Sequence, residues 1–220
     1  IDPKSIDLII QVKEINTGSA SFGIGYSSLN NTMFTLGLKE RNFLGEGKNI
    51  RFEANLSDQK TTYNIGVTEP YFLDRHLSLF GSIYDQESEN SKGDVKNNQT
   101  GFNFGLGFKL NDLSQTVKYN FSTSETTTTS TSTAASETGE EGKEITTSSM
   151  TYSLSQDTRD SYFNPSSGYM WIFDNTLAGL GGNTQFYKSV FSIKAFYPIS
   201  YGDYILGLKS GFGFISSIDD

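Results

Sequence analysis

The 220-residue chain has no cysteine and a single histidine, His76. Without thiols it can form no disulfide, cysteine nucleophile or cysteine-based zinc site, and one imidazole cannot build a His-rich metal centre. No metal and no cofactor are therefore expected. Basic residues are in deficit, since 17 Lys+Arg against 25 Asp+Glu leave a net charge of −8. A nucleic-acid groove needs a basic excess to offset phosphate repulsion, so nucleic acid is not an expected partner. Long hydrophobic runs are missing too: no stretch approaches the roughly 20 apolar residues of a membrane-spanning helix. The chain opens Ile1-Asp2-Pro3, with neither Met nor an apolar signal core, and reads as a processed or excised piece.

Aromatic residues, by contrast, make up 14% of the chain, with 17 Phe and 12 Tyr. The mean hydropathy is nevertheless −0.40, which places the apolar residues on one face only. From residue 20 onward they alternate strictly with small or polar ones. Phe102, Phe104, Leu106, Phe108 and Leu110 interleave with Asn103, Gly105, Gly107 and Lys109. That period of two gives one face to a strand and none to a helix. About eleven such segments follow residue 18, each near the roughly 9–11 residues with which a tilted strand crosses a bilayer. Nothing reads as a helix. The interleaved Gly, Ser, Asn, Thr and Lys suit a wet lumen better than the bulky inner face of a β-sandwich. The fold class expected is all-β: an antiparallel transmembrane β-barrel with its aromatic face toward lipid.

Connections after odd strands are expected at 27–31, 57–60, 85–99, 122–144 and 179–184, and after even strands at 42–48, 69–76, 111–114, 157–168 and 199–203. The two longest and most polar share one parity, hence one side, as long extracellular loops do in barrels. The 157–168 turn is long for its side. Ser122 to Glu144, rich in Thr, Ser and Glu, lacks apolar residues to bury and reads as a mobile loop. It is either a surface loop under immune or phage pressure or an insertion tolerated at a loop tip. Ile6 to Glu14 reads as a strand with a denser apolar run, turning at Ile15-Asn16-Thr17-Gly18 into the first barrel strand.

Four stretches in order resemble the BamA family of outer-membrane protein assembly factors. The junction Val12 to Tyr26 resembles the passage from the last POTRA domain into the first barrel strand. Glu40 to Gly47, with Asn42, Gly45 and Gly47, is similar to the turn after strand two. Glu69-Pro70-Tyr71-Phe72 resembles the turn after strand four. Asp157 to Gly168, with Asp157, Arg159, Asp160, Phe163, Pro165 and Gly168, resembles the turn before strand nine. Physically, Gly45 and Gly47 permit positive φ, and Pro70 ends a strand by removing a ladder donor. Asp157, Arg159 and Asp160 are expected to form a charge-paired turn, with Pro165 and Gly168 fixing re-entry to the sheet. The resemblance implies residues 1–17 as the end of the last POTRA domain and 18–220 as the N-terminal two-thirds of a sixteen-strand barrel. The family's lumen loop with its Arg-Gly motif and the last five strands lie beyond this sequence.

The resemblance further implies a non-enzymatic insertase in the bacterial outer membrane. Its partners would be the lipid bilayer, client outer-membrane proteins and, mainly through the POTRA domains, accessory lipoproteins. The first barrel strand would form the lateral gate and pair with clients. Gly18, Ser19, Ser21, Phe22, Gly23, Ile24, Gly25 and Tyr26 would carry that role. Glycine and serine there weaken register, or simply relieve curvature. The alternatives are a translocation barrel similar to TamA or a two-partner secretion transporter, and a passive diffusion channel. A barrel enzyme would need a Ser-His-Asp-like constellation, for which only His76 beside Asp74 and Arg75 is available; a turn histidine also serves as an interfacial residue. Tyr71, Phe72, Tyr162, Phe163, Tyr197 and Tyr201 are candidates for an interfacial girdle.

Overall fold

In a computed structural model, residues 9, 11–13, 15–28, 31–89, 95–128, 142, 144–200 and 204–218 are described. Eleven strands run in chain order: β1 (Gly18–Ser27), β2 (Asn31–Phe43), β3 (Lys48–Ser57), β4 (Lys60–Glu69), β5 (Leu77–Glu89), β6 (Val95–Leu110), β7 (Leu113–Thr128), β8 (Glu144–Asp157), β9 (Gly168–Ala178), β10 (Phe186–Ile199) and β11 (Tyr204–Ser217). Each pairs with the next, giving one antiparallel sheet in the order β1 to β11. A 3-10 turn lies at Phe72–Asp74.

The alternating pattern sorts side chains onto two faces. On β6, Phe102 and Phe104 are 40% and 52% exposed on the convex face, while Gly105 between Phe104 and Leu106 is buried. Neighbouring aromatics touch sideways along the convex surface, as in Phe102 with Phe121 at 5.5 Å and Phe104 with Tyr119 at 5.3 Å. The buried residues are small: Ala54, Ala178, Ser122, Ser148, Ser149 and Ser189. A sandwich would bury its Phe and Leu; this sheet displays them. With its large apolar side chains displayed along one face and, among the described residues, only small ones buried, the distribution is that of a lipid-facing wall.

Small residues on the concave face accept large neighbours. A Cβ at Gly101 would lie 2.7 Å from the Tyr84 hydroxyl, and one at Gly105 would lie 2.6 Å from the Phe80 ring. The registers Tyr84↔Gly101 and Phe80↔Gly105 put each aromatic directly across from its glycine. The rings lie over backbone that any side chain would cover.

Two expected connections are shorter than the polarity pattern indicates. β5 continues to Glu89 and β6 starts at Val95; β7 continues to Thr128 and β8 starts at Glu144. Polar cross-strand pairs hold these extensions, including Lys96 Nζ to Glu87 Oε1 at 2.7 Å and Ser124 Oγ to Asn97 Oδ1 at 2.8 Å. Loss of the apolar alternation there marks where strands leave the apolar band, not where pairing ends. Of the Thr/Ser-rich stretch, Ser122–Thr128 is strand, and 129–141 and 143 lie outside the described residues. Of the strand expected at Ile6–Glu14, Ile9 and residues 11–13 carry no strand pairing, and the remainder, like Tyr201, lies outside the described residues.

β8 pairs with β9 only from Ser149 to Asp157. Its first residues are covered instead by the β9–β10 loop folding back. Gly179 N donates to Ser148 O at 3.0 Å and Asn183 N to Thr146 O at 2.9 Å. The Asn183 side chain accepts from Thr146 N and donates to Glu144 O, both at 2.7 Å. Gly182 has φ 136°, and a Cβ there would sit 2.5 Å from Thr146 O. Only glycine allows so close an approach.

Candidate functional site: the β1 edge and the turns

Among the described residues β1 is hydrogen-bonded on one side only, to β2, with register running from Gly18↔Glu40 to Ser27↔Asn31. Phe22, Ile24 and Tyr26 stand 69%, 66% and 76% exposed on the convex face. Ser19, Ser21, Gly23 and Gly25 alternate with them on the concave face, and Gly18 begins the strand. A Cβ at Gly23 would lie 2.5 Å from Thr35 Oγ1, so the β2 side chain leans over bare β1 backbone. The concave side of β1 thus contributes little side-chain packing. β11 is the other edge, exposed along its whole length.

The N-terminal end of β1 is tied to the first turn motif by one carboxylate. Thr17 Oγ1 donates to Glu40 Oε1, and Asn42 N donates to the same oxygen at 2.9 Å. Asn42 closes the turn, its Oδ1 accepting from Gly47 N at 2.7 Å and its carbonyl from Gly45 N at 2.9 Å. Gly45 and Gly47 have φ of 77° and 71°, as the motif's glycines require. Sequence reading gave Glu40 no role of its own. The available signal was a carboxylate ending the convex row Phe34, Leu36, Leu38.

In the second motif, Glu69 Oε1 accepts from Tyr71 N at 3.3 Å. Pro70 leads into the 3-10 turn beginning at Phe72, and Tyr71 stacks edge-on against His76 at 5.8 Å. His76 therefore sits against an aromatic ring in a turn. Lys48 joins the first two motifs, pairing with Glu46 and lying 3.9 Å from Glu69 Oε2. Together these turns border an open groove of about 1020 Å³, lined by Lys48, Glu69, Tyr71, Phe72 and convex-face residues including Gly81.

The third motif stands apart, between β8 and β9. Arg159 grips Asp157 with two bonds, Nε to Oδ1 at 2.8 Å and Nη2 to Oδ2 at 2.7 Å, and its guanidinium lies 5.4 Å from the Tyr162 ring centre. Asp160 is not part of the charge pair, contrary to expectation. Its carboxylate accepts from Ser166 N at 2.9 Å, Ser167 N at 3.2 Å and the Ser166 hydroxyl. Those donors, led by the Ser166 hydroxyl, hold its pKa down to about 2. Gly168 re-enters the sheet at φ 94°, where a Cβ would meet Thr158 O at 2.4 Å. Pro165 precedes it, and Tyr162 and Phe163 project, 74% and 93% exposed.

The family model for the Omp85 superfamily domain matches residues 42–219. The chain belongs to the Omp85 superfamily. This Omp85 wall is similar to the outer membrane protein assembly factor BamA of Neorickettsia risticii, with 25% identity over 94% of the chain and 28% of the relative. It is also similar to BamA of Buchnera aphidicola, with 31% identity over 54% of the chain and 20% of that relative. The crystal structure of BamA from Haemophilus ducreyi lacking POTRA domains 1–3 superposes with a TM-score of 0.79 at 21% identity, covering 94% of the chain and 42% of that structure. The likeness to the crystal structure shows the fold: part of a β-barrel. The chain thus spans less than half the length of these relatives.

Proposed function

We propose that the protein containing this Omp85 wall is a non-enzymatic assembly factor of the bacterial outer membrane, in which β1 templates incoming client β-strands. The observation that carries the reading is the make-up of β1: nearly bare on its concave face, with only Ser and Gly there, and anchored at its start through Glu40. Unpaired strand backbone in hydrocarbon costs several kcal/mol per group. An edge that offers those hydrogen bonds before the client barrel closes lowers that cost by strand addition. Weak side-chain locking lets pairing with any one strand be exchanged for another. Accessory lipoproteins belong to this reading as partners of the POTRA region. The names of the relatives, assembly factors of outer-membrane proteins, support the same reading.

The test is site-specific crosslinking in the full-length protein during client folding. Cysteines introduced at Ser19, Ser21, Gly23 and Gly25 should trap the terminal strand of a client barrel. Crosslinks confined to the protein's own barrel would remove β1 as the template. Transport of a secreted polypeptide with no inserted barrel would favour a translocation role instead.

A further inference from the structure

Charge is sorted by face, opposite in sign to the chain as a whole. Register places Lys39 and Arg51 directly across from each other on the concave face of β2 and β3. Lys118 lies on the same face of β7, Lys188 and Lys194 on β10, and Lys209 on β11 directly across from Lys194. Lys60 and Lys109 extend the set toward the two rims. The carboxylates of that face are Glu53, Asp174 and Asp157, and Asp157 is neutralised by Arg159. The acids of the long strands, Asp85, Glu87, Glu89, Glu125 and Glu144, lie on the convex side beyond the apolar band. The net charge of −8 thus conceals a cationic concave surface.

Among the described residues the ion pairs are those of Lys48, Lys96 and Arg159; no concave-face lysine, nor Arg51, takes part. Like charges directly across a sheet are destabilising. Two such pairs, Lys39–Arg51 and Lys194–Lys209, occur at opposite ends of the wall. Stability alone does not account for them. A recess lined by one sign of charge focuses its field and concentrates counter-ions, and Lys/Arg-lined pores select anions.

We propose that the concave face is an anion-attracting surface, so that the lumen of the closed barrel prefers small inorganic anions such as chloride to cations. The full-length protein in planar bilayers under a KCl gradient should give a reversal potential of the sign set by chloride. Lys194→Glu with Lys209→Glu should move it toward the potassium side, and the milder Lys194→Gln with Lys209→Gln should move it part of the way. Heat-modifiable mobility on gels reports that each variant is folded. Potassium preference in the unaltered protein, or the same potential in folded variants, overturns the proposal. A pore that stays shut is tested with pyranine, a trisulfonated dye, titrated into the protein in a non-ionic detergent. Binding weakened several-fold in the Gln variant supports the proposal, and equal binding overturns it.

Discussion

Gly105 and Asp160 show how single residues are constrained in a wall without a bulky core. At Gly105 the constraint is space. An added Cβ would come within 2.5 Å of Val117 O, which is backbone and cannot swing aside. Gly105→Val should therefore destabilise the full-length protein by about 1–3 kcal/mol, as overpacking does elsewhere, measured by urea unfolding from lipid vesicles. At Asp160 the constraint is charge. Its folded pKa is depressed to about 2 from an ordinary 3.8, so its contribution is fully present above about pH 4. That contribution is lost as pH falls through the folded value. Protection of the Ser166 and Ser167 amides, as exchange relative to the intrinsic rate at each pH, should fall between about pH 4 and 2, and Asp160→Asn should abolish that loss of protection. The periodic glycines of β6 are visible in the sequence; that Phe80 and Tyr84 lie across them follows only from register. Likewise Asp160 and Arg159 are adjacent in sequence, yet only the folded turn separates the ion pair from the Ser166 clasp.

Among the elements, the strands themselves were legible because alternation survives any context that keeps one face in lipid. Their ends were less so. β5 to β8 continue past the apolar band with polar residues on both faces, where hydropathy falls silent but cross-strand bonds continue. The β9–β10 loop is the clearest case of a tertiary decision. Read alone, Gly179, Gly181 and Gly182 mark only a connection between strands; in the structure they let the loop seal the part of β8 that β9 does not reach. Asn183 supplies the two side-chain bonds to β8 that fix it. Asn183→Ala should leave Thr146 N without its side-chain acceptor and raise its exchange rate, with a local loss of about 1–3 kcal/mol and little effect on the β10–β11 pairing.

At the scale of the whole molecule, two asymmetries matter. One is compositional: the concave face of β1 carries only Ser and Gly, and the strand-templating test addresses that strand. The other is electrostatic. Because a field in water decays over about 10 Å at 0.1 M salt and about 3 Å at 1 M, the anion preference should shrink as the bath concentration rises between those values. Equal preference at both would point to a steric filter rather than to the concave lysines. The sequence by itself determined the strand count, the face that meets lipid and the turn motifs, because each is written in local periodicity or in residues with special backbone demands. Tertiary structure decided which cations stand opposite one another, which loop closes the β8 edge, and how Glu40 ties the start of β1 to the next turn. Those relations join residues far apart in the chain, and register between strands is what brings them into contact.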